Sequence, residues 1–224
     1  MRKSFKALRN KIGFFTYTRQ EKRHSQVGAP ELWKMKRDFQ IGFLKKERLK
    51  PEDSLLDIGC GTLRGGIPII EYLETGHYYG IEARSETLQE GRKELAEAGL
   101  EHKSPVLVSS PDILKINIEK RFEFIWSFST LIHMTDSILS DTIKFASAHL
   151  LETGAFYANV NIGTNAERTW QGFPVVWRPI AFYQEVCAAH GLALEDMGTL
   201  RDLGHISKIE SQDSQRMLKI IQAH

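Results

Sequence analysis

The stretch LLDIGCGTLRGG, residues 55–66, constrains the fold more than any other part of the chain. An apolar run ends in Asp57 and opens directly into a turn holding Gly59 and Gly61, with Gly65 and Gly66 at the start of the next helix. Such a turn needs glycine because the backbone reverses sharply and lets a ligand lie against it without a Cβ in the way. Amides at the helix start can then face an anionic group. Two common nucleotide patterns fail here. A dinucleotide turn wants glycine at the end of G-x-G-x-x-G, where counting from Gly59 gives Arg64, and a phosphate loop wants Gly-Lys-Ser/Thr, which is missing. An acid inside the turn, Asp57, sits badly beside a pyrophosphate and suits a ligand with a cationic end. Glu82 closes the following strand, where it can accept hydrogen bonds from both hydroxyls of a ribose, a role that dinucleotide enzymes share.

From Ser54 onward short apolar runs alternate with helical patterns. Strands are expected at 54–58, 77–82, 105–109, 123–128 and 154–160, with helices near 65–74, 85–98 and 136–151 and a short helical turn around 112–117. This alternation indicates a mainly parallel sheet covered on both faces, with its binding crevice beyond the carboxyl ends of the strands. Residues 161–179 read as a loop rich in turn formers and aromatics, too long for a mere connection. A helix over 180–190, a strand over 192–200 and a last strand over 216–222 follow, giving a terminal antiparallel hairpin. A chain of 224 residues, 42% of them hydrophobic, can bury this as one domain. It contains no apolar run long enough for a transmembrane helix. The basic N-terminus is not followed by an apolar run or a cleavage site, so a secretory signal is not expected. Cys60 and Cys187 lie in unrelated contexts, which suggests a reducing, cytoplasmic setting rather than a disulfide framework.

Charge divides the chain. Residues 1–50 hold 15 Lys/Arg against 4 Asp/Glu, and the rest hold 15 against 24. Residues 1–50 are therefore expected as a basic N-terminal arm and helical cover, in front of a domain over 51–224. Phe5, Leu8, Ile12 and Phe15 recur at helical spacing, Thr18 to Pro30 reads as a linker, and a second helical pattern runs through Trp33, Phe39, Ile41, Phe43 and Leu44. The arm is either a solvated segment drawn to its own acidic body or, through residues 1–20, a contact for an anionic membrane surface, a phosphorylated substrate or a nucleic acid. Peripheral attachment at the inner membrane surface stays open beside the cytoplasmic expectation.

On these residues the sequence resembles the class I S-adenosylmethionine-dependent methyltransferases, over roughly residues 40–222. Asp57, Gly59 and Gly61 match the family's first motif, Glu82 its ribose-binding acid, and Ser110-Pro-Asp112-Ile113 its adenine-contacting segment. The stretches FEFIWSFSTLIHM and LLETGAFYANV resemble its fourth strand with the loop behind it and the approach to its fifth. The resemblance implies a Rossmann-like seven-stranded sheet in the order 3-2-1-4-5-7-6, last strand antiparallel, with helices on both faces. It implies S-adenosylmethionine as cofactor, held by Asp57, Gly59, Cys60, Gly61, Arg64, Glu82, Ala83, Asp112, Ile113 and Ser127. The family's frequent third glycine falls at Leu63, so the methionine end is held differently, with Arg64 reaching its carboxylate. Asp112 either accepts from the adenine amine or caps the short helix after it. The LRGG form is similar to bacterial enzymes that modify cell-surface glycans or small molecules.

Methyl transfer asks for alignment of the acceptor, exclusion of water and, for a hydroxyl, a base. His133 lies beyond the fourth strand, either as that base or as a helix-start histidine holding its loop. Trp170, Trp177 and Arg178, in the long loop, either cover the acceptor or form a hydrophobic plug; His205 either enters the same mouth or faces solvent. Trp33, Phe39 and Gln40 can roof the cofactor or simply pack. No metal-ligand spacing and no G-x-S-x-G elbow occurs. The expected reaction is methylation of a hydroxyl or amino group of a small molecule or glycan precursor. The alternatives are an RNA methyltransferase guided by the arm, although the fourth strand ends in SFST rather than an N-P-P-Y-like tetrad, and a noncatalytic scaffold on the same fold.

Overall fold

The computed structural model describes residues 18–164 and 167–223. The helix expected over Phe5–Phe15 lies outside them. Nine strands occur among the described residues: β1 Leu55–Ile58, β2 Tyr78–Glu82, β3 Val106–Ser109, β4 Phe122–Ser127, β5 Leu150–Val160, β6 Glu167–Trp170, β7 Phe173–Val176, β8 Leu192–Thr199 and β9 Arg216–Gln222. Seven of them form one sheet in the order β3-β2-β1-β4-β5-β9-β8, while β6 and β7 pair only with each other. Strands β1 to β5 run parallel, and β9 is antiparallel to both β5 and β8. With the β6–β7 hairpin left out of the count, this is the expected 3-2-1-4-5-7-6 order.

Side chains alternate between the faces of a strand, and both faces of β1 are buried, as a central parallel strand requires. Leu55 packs with Trp126 and Tyr157 under α2 (Trp33–Lys46), α3 (Gly66–Tyr72) and α4 (Ser85–Glu97). Leu56 and Ile58 pack on the other face with Ile125 and Phe156, under α5 (Asp136–His149) and α6 (Ile180–Ala188). Phe39, Phe43, Leu44 and Leu49 belong to the first of these clusters, so the segment before β1 is built into the core. No helix of the described residues is long and apolar enough to cross a membrane.

Three expectations need correction. Thr18 to Pro30 is not a linker: residues Arg19–Ser25 form a helix, α1, whose N-terminus is closed by a reciprocal pair. Thr18 accepts from the Glu21 amide while Glu21 accepts from the Thr18 amide. Its Arg23, nearly fully buried, lies 2.8–3.1 Å from carboxylate oxygens of Glu90, Glu94 and Glu97 on α4 and fastens the segment there. The long loop is not irregular either, because Gln171 and Gly172 both take positive φ and turn β6 into β7 as a two-residue hairpin. Finally, β5 begins at Leu150, directly after α5, instead of at 154. Its register shifts between Phe122 and Phe124 on β4, where a Cβ on Gly154 would stand 2.8 Å from the Phe122 carbonyl oxygen.

Candidate active site

The carboxyl ends of β1, β2 and β4 open into one cavity of about 580 Å³. Its floor is the turn after β1. Gly59 and Gly61 have φ of +81° and +58°, and Leu63 takes +60° where the third glycine was expected. A Cβ on Gly59 would stand 2.3 Å from Thr130 Oγ1, and one on Gly61 2.7 Å from Val27 Cγ1. Protein atoms, not only a ligand, therefore require glycine at these positions. The Gly59 and Cys60 amides donate to the Ile81 carbonyl, tying the turn to β2. The Gly61 amide donates to Glu82 Oε2 at 3.0 Å, and the Arg84 amide and Nε donate to Glu82 Oε1 at 3.0 and 3.1 Å.

Charge is concentrated at this end. Asp57 is buried and accepts from the Tyr78 hydroxyl at 2.7 Å. Burial pushes its carboxyl up to about 7, against the pull of the Tyr78 hydrogen bond; Glu82 adds to the rise and Arg64 opposes it. Arg64, also buried, donates one terminal nitrogen to the Val27 carbonyl at 2.7 Å and leaves Nε without a partner among the described residues. Burial lowers its guanidinium to about 10. Lys36 lines the same cavity, and burial together with the Arg64 charge lowers its ammonium to about 7. Burial raises the Cys60 thiol well above its ordinary value, so Cys60 packs rather than reacts.

At the other end the loop after β4 meets the β6–β7 hairpin. His133 Nδ1 lies 2.8 Å from the Pro174 carbonyl oxygen, which can only accept. The proton therefore sits on Nδ1 and the lone pair on Nε2. The ring stacks on Trp170 at 5.4 Å, and burial holds its pKa below the usual histidine value despite the Pro174 hydrogen bond. A run of buried amides frames this end: the Ser129 amide donates to Asn159, Asn159 to Gln215, Gln215 to Asn161, and Asn161 to the Val176 carbonyl.

Most residues singled out in the sequence come together here. Asp57, Gly59, Cys60, Gly61, Arg64, Glu82, Ala83 and Ile113 line the cavity, as do His133, Trp170, Trp177 and His205. Three do not. Asp112 turns to the Leu114 amide and caps the short helical turn there. Ser127 is buried and donates to the Ile58 carbonyl. Arg178 is committed to Asp136 and the Met134 carbonyl. His205 is 1% exposed, which removes the solvent-facing alternative; its Nδ1 bonds Asp213 at 2.9 Å, and its Nε2 has no partner among the described residues. Gln40 lines the cavity, whereas Trp33 stacks on His24 and Phe39 packs in the core. Sequence reasoning missed Lys36, four residues before Gln40 and so on the same helix face. It also missed Arg168, and the strap from Gln26 to Gly28 that closes over the turn.

Residues 55–154 match the family model for a methyltransferase domain. No curated protein matches the sequence. Among solved structures, an S-adenosylmethionine-dependent methyltransferase from Clostridium acetobutylicum ATCC 824 is similar at a TM-score of 0.65 and 15% identity, over 86% of this chain and 92% of that one. The magnesium protoporphyrin IX methyltransferase ChlM from Synechocystis PCC 6803, with bound S-adenosylmethionine, gives 0.65 and 12%, over 99% and 92%. The glycopeptide N-methyltransferase MtfA, complexed with S-adenosylmethionine, gives 0.63 and 14%, over 83% and 87%. At these identities the likeness is one of fold. Residues 55–154 thus carry a methyltransferase-domain match, and the sheet order around them is that of the class I S-adenosylmethionine-dependent methyltransferase fold.

Proposed function

We propose that the protein methylates a hydroxyl group of a compact small-molecule acceptor, with His133 as the base. The observation that carries this reading is the tautomer of His133. With Nδ1 committed to Pro174, an unprotonated Nε2 remains on a ring that lines the same cavity as the β1 turn. Burial keeps the imidazole neutral near pH 7, which suits proton removal.

The residues of the floor fit the cofactor part by part. Glu82 would accept from the ribose hydroxyls, and Ala83 and Ile113 would flank the adenine. Asp57 would face the positive charge, while the unpartnered Arg64 Nε and the Lys36 ammonium would take the carboxylate. When bound, the cofactor supplies a methyl group made electrophilic by a sulfonium. The chain then has to hold the acceptor oxygen in line with that methyl, receive its proton at His133 Nε2 and keep water out under the hairpin. Asp112 and Ser127 serve this site as supports, one capping the turn beside Ile113 and the other holding the end of β1.

The test is transfer of a radiolabelled methyl group from S-adenosylmethionine into cell extract separated into small-molecule, RNA and protein fractions. Label is expected in the small-molecule fraction as an alkali-stable ether. His133→Ala should lower the rate roughly 10²–10⁴-fold while S-adenosylhomocysteine binds as before. Label confined to RNA, or a His133→Ala rate within threefold of the parent, would reject the reading.

A further inference from the structure

One face of the β6–β7 hairpin is turned wholly to the cavity. Arg168 pairs with Val175 and Trp170 with Phe173, and all four line it, with Trp177 continuing the surface. Pro174 and Val176, on the opposite face, line a separate small cleft with Arg178 and Asp136. Three aromatic rings, Trp170, Phe173 and Trp177, on this side of the cavity match a planar unsaturated ring system. His133 is stacked against this same wall.

The charges at this end are of one sign. Asp57 and Glu82 are the only acids lining the cavity among the described residues, and both belong to the turn after β1 and the end of β2. Two cations approach the hairpin. Arg84 lies 5.2 Å from the Phe173 ring but is paired with Glu82. Arg168 lies 5.4 Å from the Trp177 ring and has no carboxylate partner among the described residues. A guanidinium resting on an aromatic face keeps its donor edge free, in a plane suited to bidentate contact with a carboxylate. Arg168 thus takes the part that the sequence suggested for Arg178.

We propose that the acceptor is a planar aromatic molecule that carries a carboxylate, with its ring against the hairpin face and its carboxylate on Arg168. The inference rests on the methyl-transfer reading above and narrows its substrate class. It is tested by calorimetric titration of the full chain, saturated with S-adenosylhomocysteine. The probes are para-hydroxybenzoate, para-hydroxycinnamate and a hydroxynaphthoate, each against its uncharged carboxamide. At least one acid should bind roughly tenfold or more tightly than its carboxamide. Arg168→Gln should erase that ratio without altering the affinity for S-adenosylhomocysteine, and Trp170→Ala should weaken acid and carboxamide alike. Equal binding of acid and carboxamide, a ratio that survives in Arg168→Gln, or failure of every acid to bind the saturated protein overturns the proposal. Failure of the folded chain to take up S-adenosylhomocysteine overturns instead the methyl-transfer reading beneath it.

Discussion

The floor and the roof of the cavity are built by different means. The floor is the set of strand ends β1, β2 and β4, with backbone fixed by a parallel ladder and side chains buried on both sides. The roof is the strap through α1 and the β6–β7 hairpin, each attached at a few side chains: Arg23 to α4, His133 to Pro174, and Gln171 to the Ser25 carbonyl. A floor made by a sheet cannot shift without cost to the whole core. A roof held by single contacts can open and can change its lining without disturbing the fold. On the methyl-transfer reading, the difference separates the place for the cofactor, fixed by the sheet, from the surface met by the acceptor, carried by the hairpin and the strap.

The largest effect that would test this division is expected at the strap. Arg23→Ala removes the one cation that meets Glu90, Glu94 and Glu97 together and should lower the unfolding free energy by about 3 kcal/mol in a denaturant titration. Hydrogen exchange should rise in residues 18–30 and stay slow in β1 and β4; equal loss of protection in all three would erase the distinction between roof and floor. A smaller effect belongs to the floor. Glu82→Gln weakens the charged acceptor for the Gly61 amide, and S-adenosylhomocysteine affinity should fall about 10- to 100-fold by calorimetry. An unchanged affinity would mean that the turn is held by the ladder alone.

The smallest effect sharpens the comparison through pH. Asp57 titrates near 7 in the free protein, raised mainly by burial. A cationic ligand stabilises its carboxylate, so proton loss and binding favour one another. Below pH 7 the neutral acid must first ionise, and S-adenosylmethionine affinity should drop, by at most about tenfold per pH unit. Asp57→Asn should flatten that profile. A profile unchanged by the substitution would assign the dependence to a group other than Asp57; Lys36, whose ammonium is lowered to about 7, would act with the opposite sign, holding a carboxylate better as the pH falls.

The floor was legible in the sequence because its constraints are local. Asp57, Gly59 and Gly61 follow a strand within a few residues, and a positive φ leaves its mark as glycine. The roof was not, because its contacts join distant parts of the chain. Arg23 meets α4 some seventy residues on, and nothing near it in sequence says so. Two local signals were present and overlooked. Thr18 and Glu21 stand at capping-box spacing, and Gln171-Gly172 separates two short runs of alternating residues. Arg178 adjoins Trp177 in sequence and draws attention for that reason, but side chains on a strand alternate, and the alternation puts Arg168 on the face of Trp170. His205 and Asp213 meet through a turn whose course depends on the packing of Phe39 and Phe128 against the histidine ring.

The amide run from Ser129 through Asn159, Gln215 and Asn161 to Val176 connects the floor to the hairpin without any ionisable link. Carboxamides neither gain nor lose a proton across the range in which Asp57 and Lys36 change charge. Each also has a direction, oxygen toward the previous donor and nitrogen toward the next acceptor, so no member can reverse alone without setting like against like. The hairpin is thereby suspended from a frame that acid and base do not alter. Changes in pH act on the ionisable groups around the cavity, while these four hydrogen bonds keep their donors and acceptors.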